Sequence, residues 1–328
     1  MYVVTGGAGF IGSNLLASLE ARGFAPLAAV DRCDDAHKIR NLAKRRLAHI
    51  IAPEQTFAFL DQHASAIKAI YHLGAITSTT ERDLAKLDEV NVRLSCALWV
   101  WCGRHQVPLI YASSAATYGD GRAGFDDDGS VDALARLIPL NPYGQSKHRF
   151  DLFVAQESSS GAPAPPFWAG LKFFNVYGAN EFHKRRQASL VPQIHPMAVA
   201  DQPYQLFRSH NAAYRDGGQL RDFVFVEDCC DVMLWLLEHK RGSGLFNLGS
   251  GKARSFMDLA AAVYRAVGRE PRVTFRDTPA DIRDQYQYFT EARMDRLRRA
   301  GYAKPFMSLE DGVSATVQNY LSQLDPYR

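Results

Sequence analysis

Tyr143 and Lys147 stand four residues apart in NPYGQSKHRFD (141–151). On a helix that spacing puts both side chains on one face. A free phenol has a pKa of about 10 and is a poor base at neutral pH, but a neighbouring ammonium favours the phenolate. Tyr143 then becomes a base suited to alcohol oxidation. YASSAATYG (111–119) ends a strand-like run with two hydroxyls, and Ser114 can hydrogen-bond the same substrate oxygen. Alone, Y-x-x-x-K describes many amphipathic helix surfaces; after a glycine fingerprint and a serine-bearing strand it describes a catalytic constellation.

That fingerprint is TGGAGFIG (5–12), which follows the first strand-like run and opens the first helical one. Gly6, Gly7 and Gly9 let the backbone turn tightly and approach a pyrophosphate at the helix N-terminus, and Gly12 allows close packing of helix on strand. The plainer reading is a tight strand–helix turn, but Asp31 ends the second strand at the distance expected of a ribose-binding acid. A nicotinamide dinucleotide is therefore expected, and its cationic ring would also favour the Tyr143 phenolate. Asp31 alone favours NAD, because a carboxylate repels a 2′-phosphate. Arg32 and Lys38 argue for NADP, the first as a bidentate partner and the second as a point charge. NADP is the expectation.

The elements that must position these residues alternate: YVVT (2–5), a helical 11–22, LAAV (27–30), AIYHLG (69–74), a helical 84–104 and PLIYAS (108–113). Such alternation predicts βαβ units and an α/β fold with a Rossmann-type doubly wound parallel sheet. SSSGAPAPP (158–166) reads as a loop leading into FWAGLKFF (167–174), RDFVFVEDCCDVMLWLLE (221–238) as strand then helix, and SFMDLAAAVYRAV (255–267) as a helix opened by a Ser255–Asp258 capping box. We expect a dinucleotide-binding domain over 1–174, with contributions from about 220–250. Residues 175–328 are expected to form mainly a smaller substrate-binding α/β lobe at the sheet's carboxyl edge.

Composition excludes several function classes. The 328 residues are 47% hydrophobic and 22% charged, and the net charge of +3 advertises no nucleic-acid surface. The five cysteines form no C-x-x-C pair, so neither a disulfide framework nor a zinc site is read. The opening MYVVTGG lacks a charged region followed by an apolar run, and VMLWLL (232–237) is too short to span a bilayer. A cytoplasmic protein without membrane or nucleic-acid partners is expected.

The fingerprint, YASSAATYG and Y-x-x-x-K together resemble the extended short-chain dehydrogenase/reductase family, in its nucleotide-sugar epimerase and dehydratase branch. TSTTE (77–81), FFNVYG (173–178) followed by EFHK (181–184), RDFVFVED (221–228), FNLGSGKARSF (246–256) and RDQYQYFT (283–290) narrow it further: the chain is similar to the ADP-L-glycero-D-manno-heptose 6-epimerase family. The resemblance covers almost the whole chain. It implies an isomerase, a homo-oligomer, that acts on ADP-heptose for the lipopolysaccharide core. It further implies that Phe10, Ile11, Leu73, Gly74, Ala75, Ile76, Thr77, Asn91 and Val176 meet the cofactor, that Lys147 holds its ribose, and that Ser114, Asn175, Phe207, Arg221 and Tyr286 meet the substrate. A bidentate cation such as Arg221 suits a diphosphate; the plainer reading is a salt bridge with Asp222 or Glu227. His183 is read as a polar wall of its loop.

Lys184 takes its meaning from the reaction. Hydride must leave one face of C6 and return to the other, so the exocyclic aldehyde turns about C5–C6 and its oxygen moves. One fixed phenol cannot reach both positions. The resemblance assigns the second acid/base to Lys184, which is also expected beside the cofactor. The chain departs from that family in HKRR, where a short HKG is expected, and in Pro53, where a lysine is expected near the cofactor phosphate. Rival readings are a UDP-sugar 4-epimerase or another nucleotide-sugar-modifying short-chain dehydrogenase, and a non-catalytic dinucleotide-sensing regulator. A 4,6-dehydratase would need a carboxylate pair after the catalytic serine, which SSAATYG lacks; the Tyr143/Lys147 pair speaks against the regulator.

Overall fold

The structure is a computed structural model, and it describes residues 1–279, 283 and 287–328. The strands in chain order are β1 (Tyr2–Thr5), β2 (Leu27–Val30), β3 (His49–Ile51), β4 (Ala69–His72), β5 (Leu109–Ser114), β6 (Trp168–Phe173), β7 (Asn175–Tyr177), β8 (Tyr204–Phe207), β9 (Leu220–Phe225), β10 (Gly244–Leu248), β11 (Ala253–Ser255) and β12 (Val273–Arg276). Seven of them form one parallel sheet in the order β10-β6-β5-β4-β1-β2-β3. The order reverses beside β1, and that switch point opens a crevice above the strands' carboxyl ends. β1, β2, β4 and β10 are almost wholly buried, as a parallel sheet covered on both faces requires.

The outer layers explain why short apolar strands suffice. On one face, the Phe10–Ala21 helix packs against the Val226–His239 helix; Leu15, Leu16, Leu19, Val232, Met233 and Leu236 are fully buried there. Each such side chain contributes roughly 1.5–3 kcal/mol of burial free energy. The other face carries Leu98, Trp99, Phe150 and Val154 from the Leu94–His105 and Pro142–Ser159 helices. A three-stranded sheet (β11-β9-β7) and a two-stranded one (β12-β8) lie beyond the main sheet, with Tyr264, Val263 and Leu259 of the Phe256–Ala266 helix in a core of their own. Its expected capping box is present: Ser255 Oγ accepts from the Asp258 amide and Asp258 Oδ2 from the Ser255 amide, both at 3.0 Å.

Two details depart from the sequence reading. β3 was not anticipated, because HII is only three residues and His49 and Ile50 are not buried. The helical stretch expected over 84–104 is widened by a π-bulge at Asp88–Arg93, which turns Asn91 inward. Among the described residues no helix is long and apolar enough to cross a membrane.

Candidate active site

The glycine turn has the tight contacts that its sequence predicted. Gly6 has φ +68°, and a Cβ there would meet the Gly74 amide nitrogen at 2.7 Å; a Cβ on Gly12 would lie 2.1 Å from the Gly6 carbonyl oxygen. No larger residue fits at either place without moving backbone. The Phe10–Ala21 helix begins from Gly9 with no side-chain cap and no acidic residue in its first turn, so its first amides face the crevice unopposed by a carboxylate of their own helix. Asp31, at the end of β2, accepts from the Ala8 amide (2.9 Å) through Oδ2 and from Lys38 Nζ (2.9 Å) through Oδ1. Arg32 is paired with Glu54 at the exposed rim.

The catalytic helix starts at a cap and a close approach. Asn141 Oδ1 accepts from the Gly144 amide (2.8 Å), and Pro142 occupies the first turn. A Cβ on Gly144 would lie 2.8 Å from the Ala116 carbonyl oxygen, so the glycine lets the helix close onto the loop that follows Ser114. That contact brings the Ser114 hydroxyl into hydrogen bonding with the Tyr143 phenol. One turn later Lys147, nearly fully buried, donates to the Ala112 carbonyl (2.9 Å).

The electrostatics differ from the sequence expectation in one respect. Burial pushes the Tyr143 phenol up, Asp151 pushes it the same way, and the Ser114 hydrogen bond draws it down. Lys147, expected to lower it, is itself pushed down by burial to about 8, with Asp151 supporting its ammonium. Desolvation of both groups outweighs the lysine–phenol attraction in the protein alone. Behind them lies a network that the sequence reading missed. Asp151 Oδ2 accepts from Ser113 Oγ (2.6 Å) and Lys172 Nζ (2.9 Å), Asp151 Oδ1 accepts from Tyr111 (3.1 Å), and Lys172 also donates to Thr117 Oγ1 (2.7 Å). Asp151 and Lys172 are fully buried. The signal was a lysine within the apolar run FWAGLKFF.

One cavity of about 1090 Å³ joins the fingerprint to the catalytic helix. Gly6, Gly9, Phe10, Ile11 and Gly12 line it, as do Asp31, Arg32, Lys38, Leu73, Gly74, Ala75, Ile76, Thr77, Tyr143, Lys147 and Lys184. Lys184 Nζ sits over the Phe10 ring, 5.2 Å from its centroid. Pro53, His183, Arg185 and Arg186 line the same cavity. Burial, with Lys184 and Lys38 nearby, pushes His183 down to about 4, and its Nδ1 lies 3.3 Å from Asn41 Nδ2.

Asn91 is different. It is fully buried and is not among the residues that form this cavity; its Oδ1 accepts from the Ile76 amide (2.8 Å), and its Nδ2 donates to the Ile76 carbonyl and to Ser146 Oγ, both at 2.9 Å. Through these bonds the π-bulge turns Asn91 to hold the loop that lines the crevice. Val176 likewise lies outside the cavity lining and packs between the two neighbouring cores.

The family comparison agrees with this geometry. Residues 2–249 match the sequence pattern of the NAD dependent epimerase/dehydratase family. The chain belongs to that family. A curated relative, ADP-L-glycero-D-manno-heptose-6-epimerase of Nitratidesulfovibrio vulgaris strain DP4, is 44% identical, with all of both chains covered. The enzyme of the same name from Fusobacterium nucleatum is 41% identical, again over both full lengths. Among solved structures, Helicobacter pylori ADP-L-glycero-D-manno-heptose-6-epimerase aligns with a TM-score of 0.80 at 26% identity, over 97% of this chain and 95% of that one. Within the epimerase/dehydratase family the chain is therefore on the heptose-6-epimerase branch.

A nicotinamide dinucleotide fits the residues present. The turn that a Cβ at Gly6 or Gly12 would block and the open helix N-terminus would hold its pyrophosphate, and Asp31 its ribose.

The residues expected at the substrate come from separate elements, and Ser114, Asn175, Phe207 and Arg221 are not among the residues lining this cavity. Ser114 adjoins Tyr143, Asn175 is exposed at the start of β7, and Phe207 ends β8 under the Arg276 guanidinium, 4.9 Å from its ring centroid. Arg221 is nearly buried, donates to the carbonyls of Leu220 and Gln287, and lies over the Phe256 ring. Its acidic neighbours are engaged elsewhere: Asp222 accepts from Ser250, Gly251 and Ala292, and Glu227 accepts from Tyr320. Tyr286 lies outside the described residues.

Proposed function

We propose that this protein interconverts the C6 epimers of ADP-glycero-manno-heptose, the D-glycero and L-glycero forms, and so supplies heptose for a lipopolysaccharide core. The observation that carries the reading is that two acid/base candidates on different elements, Tyr143 and Lys184, line one cavity with the glycine fingerprint. A nicotinamide held at the glycine fingerprint would supply the hydride acceptor and donor for C6. The protein's own part is positioning and proton transfer. Tyr143, with Ser114 beside it, takes the C6 hydroxyl proton of one epimer; after the aldehyde turns, Lys184 delivers a proton to the oxygen in its second position. Lys147 sits between the Ala112 carbonyl and the cavity, where it can hold a ribose hydroxyl and favour loss of the Tyr143 proton. Arg221 is proposed at the diphosphate.

We further propose NADP as the cofactor. Asp31 repels a 2′-phosphate less when its charge is balanced by Lys38, and Arg32, Arg185 and Arg186 add positive charge along the same cavity. The protein is proposed to work in the cytoplasm as a homo-oligomer, with residues 1–174 mainly binding the cofactor and 175–328 mainly the substrate. The direct test of the function is NMR of ADP-D-glycero-D-manno-heptose incubated with the protein. Conversion at C6 is expected; no change, together with conversion of UDP-glucose to UDP-galactose, would overturn the reading.

A further inference from the structure

The segment that carries Lys184 has poor intrinsic geometry. Between β7 and the Leu190–Val199 helix it runs through Gly178 (φ +154°), Asn180 (φ +69°) and two short helical turns broken at Arg185 (φ +50°, ψ −117°). A β-free loop with two non-glycine residues at positive φ holds its shape only where other contacts over-determine it.

Asn14, Asn41 and Arg328 hold Ala179, Asn180 and His183 from outside the loop, and one side chain within it supplies three further contacts. Glu181 is 2% exposed. Its Oε1 accepts from the Gly178 amide (3.2 Å) and from Ser189 Oγ (2.7 Å), and its Oε2 accepts from the Ser189 amide (2.7 Å). The carboxylate therefore ties the two ends of the 178–189 loop together. The Glu181 carbonyl meanwhile accepts from the Lys184 amide (2.9 Å), so the same residue starts the turn that presents the lysine. Asn180, next in line, donates to Ser13 Oγ (3.0 Å) and registers the loop on the fingerprint helix. Three donors converging on two oxygens match an acceptor-only carboxylate, and a carboxamide can serve only part of them.

We propose that Glu181 is the positioning residue for Lys184: by closing the neck of the 178–189 loop it fixes where the lysine amine stands over the cavity. This rests on the reading of Lys184 as the second acid/base. The charge environment supports the geometry. Burial pushes the Glu181 carboxyl up, and Lys184 is the first of the influences that draw it back.

The test uses the full chain and single-turnover exchange of isotopic label between cofactor and each purified heptose epimer, with Lys184→Met in parallel. Glu181→Gln is expected to bind NADP within about twofold of the parent by fluorescence titration and to show faster amide hydrogen exchange over 178–189. Exchange with the epimer served by Lys184 is expected to fall at least tenfold, since an ångström of misplacement can cost on the order of a hundredfold. Exchange with the epimer served by Tyr143 should stay within about threefold. Should Glu181→Gln not fold, Ser189→Ala removes one of the three bonds and should give the same one-sided loss, at about two- to fivefold. Equal loss for both epimers, or no loss, overturns the role of Glu181 while a one-sided Lys184→Met result leaves the two-base reading standing. If Lys184→Met is itself not one-sided, that reading and this proposal fall together.

Discussion

Asp151→Asn isolates the buried charge that the catalytic helix itself carries beyond Tyr143 and Lys147. Asparagine keeps the shape of the side chain and offers one acceptor oxygen where the carboxylate uses two, for Ser113 and Lys172 on one side and Tyr111 on the other. It also leaves Lys172, fully buried, without its counter-charge. Removing one partner of a buried ion pair costs about 3–5 kcal/mol, because the remaining charge keeps its desolvation penalty. Loss of a hydrogen bond to Tyr111 or Ser113 adds about 1 kcal/mol. We therefore expect Asp151→Asn to lose about 4 kcal/mol in urea denaturation at pH 7, followed by far-ultraviolet circular dichroism, with an unchanged m-value. Asp151→Asn/Lys172→Met carries neither charge and should recover at least about 1 kcal/mol of that loss, since replacing both members of a buried pair is often close to neutral. A loss under about 1 kcal/mol for Asp151→Asn, or a double variant whose loss equals the sum of the two singles, would refute the view that this pair is a coupled structural unit.

Other predictions test the cofactor end and the lysine on the catalytic helix. Replacing Arg32 and Lys38 by alanine should lower the NADP/NAD affinity ratio about tenfold or more in paired fluorescence titrations; an unchanged ratio would place the phosphate contacts elsewhere, with Arg185 and Arg186 next to be examined. Lys147 is pushed by burial from 10.5 to about 8. Between those pH values the unfolded chain binds more protons than the folded one, so the Lys147 contribution to stability becomes more favourable as pH rises from 8 to 10.5. Lys147→Met cannot titrate and should lack that gain, which is on the order of 3 kcal/mol; parallel denaturation curves of parent and variant across the window would contradict it.

The parts that sequence made legible are those in which backbone demands a residue type. Gly6 and Gly12 could be read because no side chain fits their positions, and Tyr143 and Lys147 because a helix repeats every 3.6 residues. β3 was hidden by its shortness and by half-exposed residues. The inward direction of the Asn91 side chain depends on a π-bulge that leaves no pattern in sequence. Asp151 and Glu181 could not be read as buried, since a carboxylate on a helix or in a charged loop is ordinarily solvated; only the tertiary packing removes them from water. Lys184 lies between the two cases: motif alone suggested it, and its presence at the Phe10 ring in the same cavity as Tyr143 depends on a loop shape that no local pattern encodes.

The central claim is that two groups serve two positions of one oxygen, and Lys184→Met tests it most directly. Methionine keeps an unbranched stem of similar length and removes the amine. The measurement is single-turnover exchange of isotopic label between cofactor and each purified heptose epimer, at saturating NADP so that a lost phosphate contact is compensated. The account predicts that exchange survives for one epimer, nearly vanishes for the other, and that net interconversion falls by the two to four orders of magnitude typical of a missing acid/base. Exchange lost equally for both epimers, or retained for both, would contradict it.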